Sequence, residues 1–131
     1  MNKTLIIVRG IPGSGKSTFS TRVAKSPDDV FSADMFFEKD GVYNFDINKI
    51  HLAHRWCREN VANAMKDERE LIFVANTFVR KGTMNEYFDL AKTYNYDVFC
   101  IIIENRHGNS NVHGCGNDII EDMRKKFNIQ L

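Results

Sequence analysis

No apolar run in these 131 residues approaches the length of a membrane-crossing helix. The apolar part of the N-terminal stretch MNKTLIIVRG is short and runs straight into a glycine-rich loop, which argues against a secretion signal and for a cytoplasmic protein. Cysteine is scarce. Cys57, Cys100 and Cys115 are odd in number, widely spaced and contain no CxxC, so the chain offers neither a disulfide framework nor a structural zinc set. His107, His113 and Cys115 are close in sequence but bring no clear fourth metal ligand. Net charge is also nearly absent: 18 Lys and Arg against 17 Asp and Glu leave +1, so no broad attraction to nucleic acid is expected, although a local groove can still be basic. Internal repeats and low-complexity segments are missing as well. What is present is the composition of an ordinary globular chain, 43% hydrophobic and 27% charged, with enough residues for one domain over 1–131 and too few for two.

The informative stretch is Gly10 to Thr18, GIPGSGKST, a full match to GxxxxGK[ST]. Thr4 to Val8 before it is an apolar, β-prone run, and Phe19 to Lys25 after it has helical character, so the motif sits between a strand and a helix. Glycines at 10, 13 and 15 allow the backbone to turn successive amide hydrogens into one hollow, where a helix N-terminus also favours anions. In this reading Gly13, Ser14, Gly15, Lys16, Ser17 and Thr18 cradle a nucleoside triphosphate. The Lys16 ammonium sits on the β and γ phosphates and the Ser17 hydroxyl ligates Mg²⁺.

Three further apolar runs read as strands: Val30 to Ser32, Leu71 to Ala75 and Asp97 to Ile103. Helical patterns separate them, over about 47–65, 84–94 and 117–127, which predicts right-handed crossovers and an α/β fold with a four-stranded parallel sheet flanked by helices. In such a sheet, ligands bind beyond the carboxyl ends of the strands, so the residues there are candidates for chemistry. After the second strand stands Asp34, a candidate general base for an acceptor hydroxyl or a water-mediated Mg²⁺ contact, with a helix cap as the plain alternative. After the third, where many P-loop proteins carry a Mg²⁺-organising carboxylate, stand Asn76 and Thr77, which can hydrogen-bond a phosphate or the loop but bring no charge. Arg80 follows as a candidate acceptor contact. After the fourth, residues 104–116 have the polar, glycine-rich composition of a lid, with Arg106 placed to close over the phosphates.

The remaining features read as packing. Phe36, Phe37, Tyr43 and Phe45 can wall an acceptor pocket, but at least two are expected simply to pack their loop. On the long helix Ile47, Ile50, Cys57, Val61, Ala64 and Met65 fall on the core stripe together with His54, and Trp56 is expected to cover the aromatic loop.

Taken in order, RGIPGSGKST, FSADMFFEKDGVYNFD, AHRWCRENVANAM, the strand ending in NTF, and NVHGCGNDIIEDMRKKF resemble a family of small P-loop kinase-like domains. The kinase domain of phage polynucleotide kinase and the amino-terminal domain of 2′,3′-cyclic nucleotide phosphodiesterases are of this kind. The resemblance spans nearly the whole chain and implies a three-layer P-loop fold using ATP and Mg²⁺ to phosphorylate the 5′-hydroxyl of a polynucleotide or nucleotide. It implies Asp34 as the base and Arg106 as the lid arginine. Two departures stand out. Met35, Phe36 and Phe37 occupy the place of an arginine that grips the acceptor's 3′-phosphate, and a lid reading HGVP in the family reads His113, Gly114, Cys115, Gly116 here. A nucleotide-binding module, or a simple NTPase that transfers nothing to an acceptor, is the alternative.

Overall fold

The computed structural model describes residues 2–106, 117–127 and 129. In chain order the elements are β1 (Thr4–Arg9), α1 (Lys16–Val23), β2 (Val30–Phe31), a hairpin of β3 (Glu38–Lys39) and β4 (Val42–Tyr43), α2 (Ile50–Lys66), β5 (Leu71–Ala75), α3 (Asn85–Tyr94), β6 (Asp97–Ile102) and α4 (Asn117–Lys126). The main sheet has the order β2-β5-β1-β6, and every pairing in it is parallel. This is a four-stranded parallel sheet flanked by helices.

Strand alternation divides the core between the two faces. Leu5 and Ile7 of β1 and Ile72 and Val74 of β5 point toward α2 and α3, where Ala53, Cys57, Val61, Tyr87 and Ala91 complete the larger cluster. Val8, Phe73, Ala75 and Val30 point the other way, toward Ala24 at the end of α1. β1 lies between β5 and β6, so Leu5, Ile7 and Val8 are fully buried and the loop that follows β1 is carried on a central strand of the sheet.

Three local expectations are corrected. The β2 ladder ends at Phe31, and Asp34 lies on a 3₁₀ turn, Ala33–Phe37, not on an extended strand end. Ile47 is 66% exposed, because Asp46 caps a separate 3₁₀ turn, Ile47–Lys49, by accepting from the Asn48 N–H at 3.0 Å; the regular helix starts only at Ile50, and Ala53 takes the core position. The apolar run of β6 implies burial, but among the described residues it has β1 as its one strand neighbour and leaves Phe99 58% exposed. Composition reports how apolar a strand is and not how many neighbours it finds.

Gly10 follows β1 at a point with no room for a side chain. A Cβ there would collide with Ser14 Oγ and lie 3.0 Å from the Ile103 carbonyl oxygen. Gly10→Ala is therefore expected to cost about 1–3 kcal/mol in urea unfolding. An unchanged midpoint would show that the loop yields at no cost.

Candidate active site

The turn after β1 has the form of an anion cradle. Gly13 and Gly15 take φ values of 79° and 93°, which side chains rarely adopt, and the Ser14 N–H closes the turn on the Ile11 carbonyl at 3.1 Å. Gly15 caps α1 without any side-chain hydrogen bond, and no acidic residue stands in the first turn of the helix. The positive end of α1 is thus not neutralised by the chain's own carboxylates in that turn. Lys16 bends its ammonium back onto the Ile11 carbonyl at 3.0 Å, while Ser17 and Thr18 are exposed on the same turn. Ser14 is 4% exposed and its Oγ has no hydrogen-bond partner among the described residues. A buried hydroxyl without a partner, an uncapped helix start and an ammonium resting on the loop together fit the oxygens of a polyphosphate.

Struts from both flanking strands hold this loop. The Gly10 N–H donates to the Thr77 carbonyl at 3.2 Å on the β5 side, and Asn105 Nδ2 donates to the Gly13 carbonyl at 3.1 Å on the β6 side. Arg9 is 4% exposed, and its Nε and Nη2 donate to the Phe78 carbonyl at 3.0 and 2.8 Å. Phe78 sits at φ 46°, a conformation costly for an aromatic residue, with its buried ring edge-on to Tyr87. Burial lowers the Arg9 pKa from its ordinary value, yet a guanidinium starts so high that it stays a cation; the Phe127 ring stacks on it at 4.6 Å. Sequence reasoning passed over Arg9, whose one signal was a cation closing an apolar strand.

The second group lies beyond β2 and β5. Asp34 is half-buried, and the Tyr43 hydroxyl donates to its Oδ1 at 3.2 Å from the neighbouring hairpin. Asn76 is 7% exposed, and its Oδ1 accepts from the Ala33 N–H at 2.8 Å, immediately before Asp34. His54 on α2 is in electrostatic reach of Asp34, Arg58 and Glu86, the last two forming an ion pair with each other. Phe37 is buried, and Phe36 packs edge-on against both Phe37 and Trp56, so these aromatics serve the loop's own packing as expected. Phe45 also touches Phe37 but stays 47% exposed. Arg80 is exposed on the segment after β5.

On the other side of the loop, α1 and the segment after β6 enclose a cavity of about 660 Å³ lined by Ser14, Phe19, Arg22, Ile103, Asn105 and Arg106 among others. Arg106 is 82% exposed in its side chain and pairs with Glu104 at 2.8 Å. The cavity has the size of a small-molecule site and opens beside the cradle. The rest of the expected lid, residues 107–116 with His107, His113 and Cys115, lies outside the described residues. No cluster of His, Cys, Asp or Glu suited to a metal ion occurs among the described residues.

A family model described as an AAA domain matches residues 5–109, from β1 through the segment after β6. The chain belongs to the AAA domain family. Over 96 residues this AAA domain is 31% identical to human NEDD4-binding protein 2; the match covers 72% of this chain and 5% of that protein's length. Among solved structures, a candidate kinase from Chloroflexus aurantiacus superimposes with a TM-score of 0.62 at 21% identity, over 78% of this chain and 59% of that one. The AvrRxo1-ORF1:-ORF2 complex aligns with a TM-score of 0.53 at 18% identity, over 78% of this chain and 37% of the matched one. At these identities the two structures show the P-loop fold alone.

The His54 pKa in this AAA domain is held below the ordinary 6.5, first by burial and then by Arg58, with Asp34 and Glu86 opposing. A depressed value means that the unfolded chain takes up the proton first, so His54 contributes stability above that pH and loses it as pH falls. The melting temperature should drop more for the wild type than for His54→Gln between about pH 7 and about pH 5. Equal drops would contradict this.

Proposed function

We propose that this AAA domain is an ATP- and Mg²⁺-dependent phosphotransferase that moves the γ-phosphate to a hydroxyl, with the 5′-hydroxyl of a polynucleotide or nucleotide as acceptor. The observation that carries the reading is the pairing of the cradle with Asp34 at the same carboxyl edge of one sheet, the carboxylate held by Tyr43 and by the Asn76-anchored turn. A cradle alone would serve any nucleotide binder; a positioned carboxylate beside it supplies a proton acceptor. The polynucleotide part of the proposal rests on the sequence resemblance to phage polynucleotide kinase.

Each residue has a part that follows from its place. The loop amides of 13–15 and the Lys16 ammonium hold the phosphate oxygens, and the cavity between α1 and residues 102–106 takes the nucleoside. Ser17 would hold Mg²⁺, which when bound neutralises charge on the phosphate oxygens. Asp34 accepts the proton as the acceptor oxygen forms its bond to phosphorus and the bond to the β-phosphate oxygen breaks, releasing ADP. Arg106, already at the cavity wall, balances charge on the phosphoryl group, and Arg80 meets the acceptor. Like its Mg²⁺ and ATP, the domain's place is proposed to be the cytoplasm.

A nucleotide-binding module, or an NTPase without an acceptor, is the second reading. One specific feature favours it: a neutral amide, Asn76, follows the strand beside the cradle. The two are separated by incubating the protein with Mg²⁺, γ-labelled ATP and 5′-hydroxyl DNA, RNA or mononucleotides. A labelled acceptor is expected, and Asp34→Ala should slow transfer by about 10²–10⁴-fold with nucleotide affinity nearly unchanged. No labelled product from any acceptor, or full transfer by Asp34→Ala, would overturn the proposal, and acceptor-free phosphate release would support the NTPase.

A further inference from the structure

Asn76 stands where many P-loop proteins carry a carboxylate, and the contacts of its side chain give a reason for the amide. The 3₁₀ turn Ala33–Phe37 that bears Asp34 begins without a local cap: Ser32 makes no side-chain capping bond. The Ala33 N–H, one of the donors left open at such a start, is instead taken by Asn76 Oδ1 at 2.8 Å, from 43 residues away. An N–H can only be met by the oxygen of the amide, so this bond also fixes which way the amide faces. Asn76 Nδ2 must then point to the opposite side, where it lies 3.9 Å from Cys57 Sγ on α2.

Cys57 is wholly buried, and burial pushes its thiol pKa up, so it presents a neutral sulfur to the amide. The Tyr87 hydroxyl of α3 is buried beside the same thiol, and burial raises its pKa too. The Asn76 amide thus lies between a backbone N–H and a buried neutral thiol. A carboxylate at 76 would accept from Ala33 equally well, but it would bury a negative charge near Asp34.

We infer that Asn76 is a positioning residue: it caps from β5 the turn that carries Asp34, and Cys57 keeps its amide oriented for that bond. The catalytic part of this inference rests on Asp34 acting as proposed above. The capping part stands by itself. Asn76 is thus assigned to holding the base and not to touching the acceptor.

Asn76→Ala and Cys57→Ala separate these parts, read by amide hydrogen exchange over residues 32–37 and by steady-state transfer kinetics. For Asn76→Ala, exchange at 32–37 should speed up by about 10-fold or more while the cradle peptide over 10–20 keeps its wild-type rate. The value of kcat should fall by about 10–100-fold with the KM for ATP within about threefold, a split that general destabilisation would not produce. Cys57→Ala should show the same pattern at a smaller size, about threefold in both exchange and kcat, and serves if Asn76→Ala fails to fold. Unchanged exchange at 32–37 would overturn the cap. Faster exchange with an unchanged kcat would overturn the catalytic link. If the wild type transfers phosphate to no acceptor, the proposed function fails, and the exchange result still decides whether Asn76 holds the turn.

Discussion

The Arg9 guanidinium spans the gap between β1 and the segment after β5, and the order of the whole carboxyl edge depends on that tie. Its two bonds to the Phe78 carbonyl hold Phe78 in a left-handed conformation, which turns the chain sharply after Thr77 and lets the Thr77 carbonyl meet the Gly10 N–H. The same short segment contains Asn76, which reaches the other way, to Ala33. One strand end therefore braces the phosphate cradle on one side and the Asp34 turn on the other. A buried arginine is a costly means of joining loops. The two bonds it donates to the Phe78 carbonyl offset the burial, and removing it would leave that carbonyl without them.

This arrangement separates the two halves of the edge by role. The donor half is built from local geometry: a tight turn, a helix start without acids, and Asn105 tying the loop to the end of β6. The acceptor half is built from side chains of other elements gathered around Asp34 and the turn that bears it. Tyr43 comes from the hairpin, Asn76 from β5, and His54 from α2 within electrostatic reach. Neutral or paired groups dominate there: an amide, a thiol, a phenol, and Arg58 already matched with Glu86. Asp34 is the carboxylate at the centre of this half of the edge.

The division also explains what the sequence made legible. The cradle could be read residue by residue because its geometry depends on neighbours in the chain: glycines where φ is positive, lysine and serine at the helix start. The strands could be found because apolar runs bounded by turn residues are local as well. Asp34 was found by its place after a strand, although the strand proved shorter and the carboxylate sits on a 3₁₀ turn. Long-range ties were not legible. Nothing near Arg9 in sequence announces Phe78, 69 positions on, and nothing near Asn76 announces Ala33. Ile47 and Phe99 failed for a related reason, since an apolar residue does not report whether a cap ends its helix early or whether its strand lies at an edge.

The most direct test of a single site joining cradle and base is a crystal structure with Mg²⁺ and a non-hydrolysable ATP analogue. The triphosphate is expected in the loop over residues 10–15, the nucleoside in the cavity between α1 and residues 102–106, and the terminal phosphorus facing the Asp34 carboxylate across open space. A nucleotide bound elsewhere, or a terminal phosphate walled off from Asp34, would contradict it.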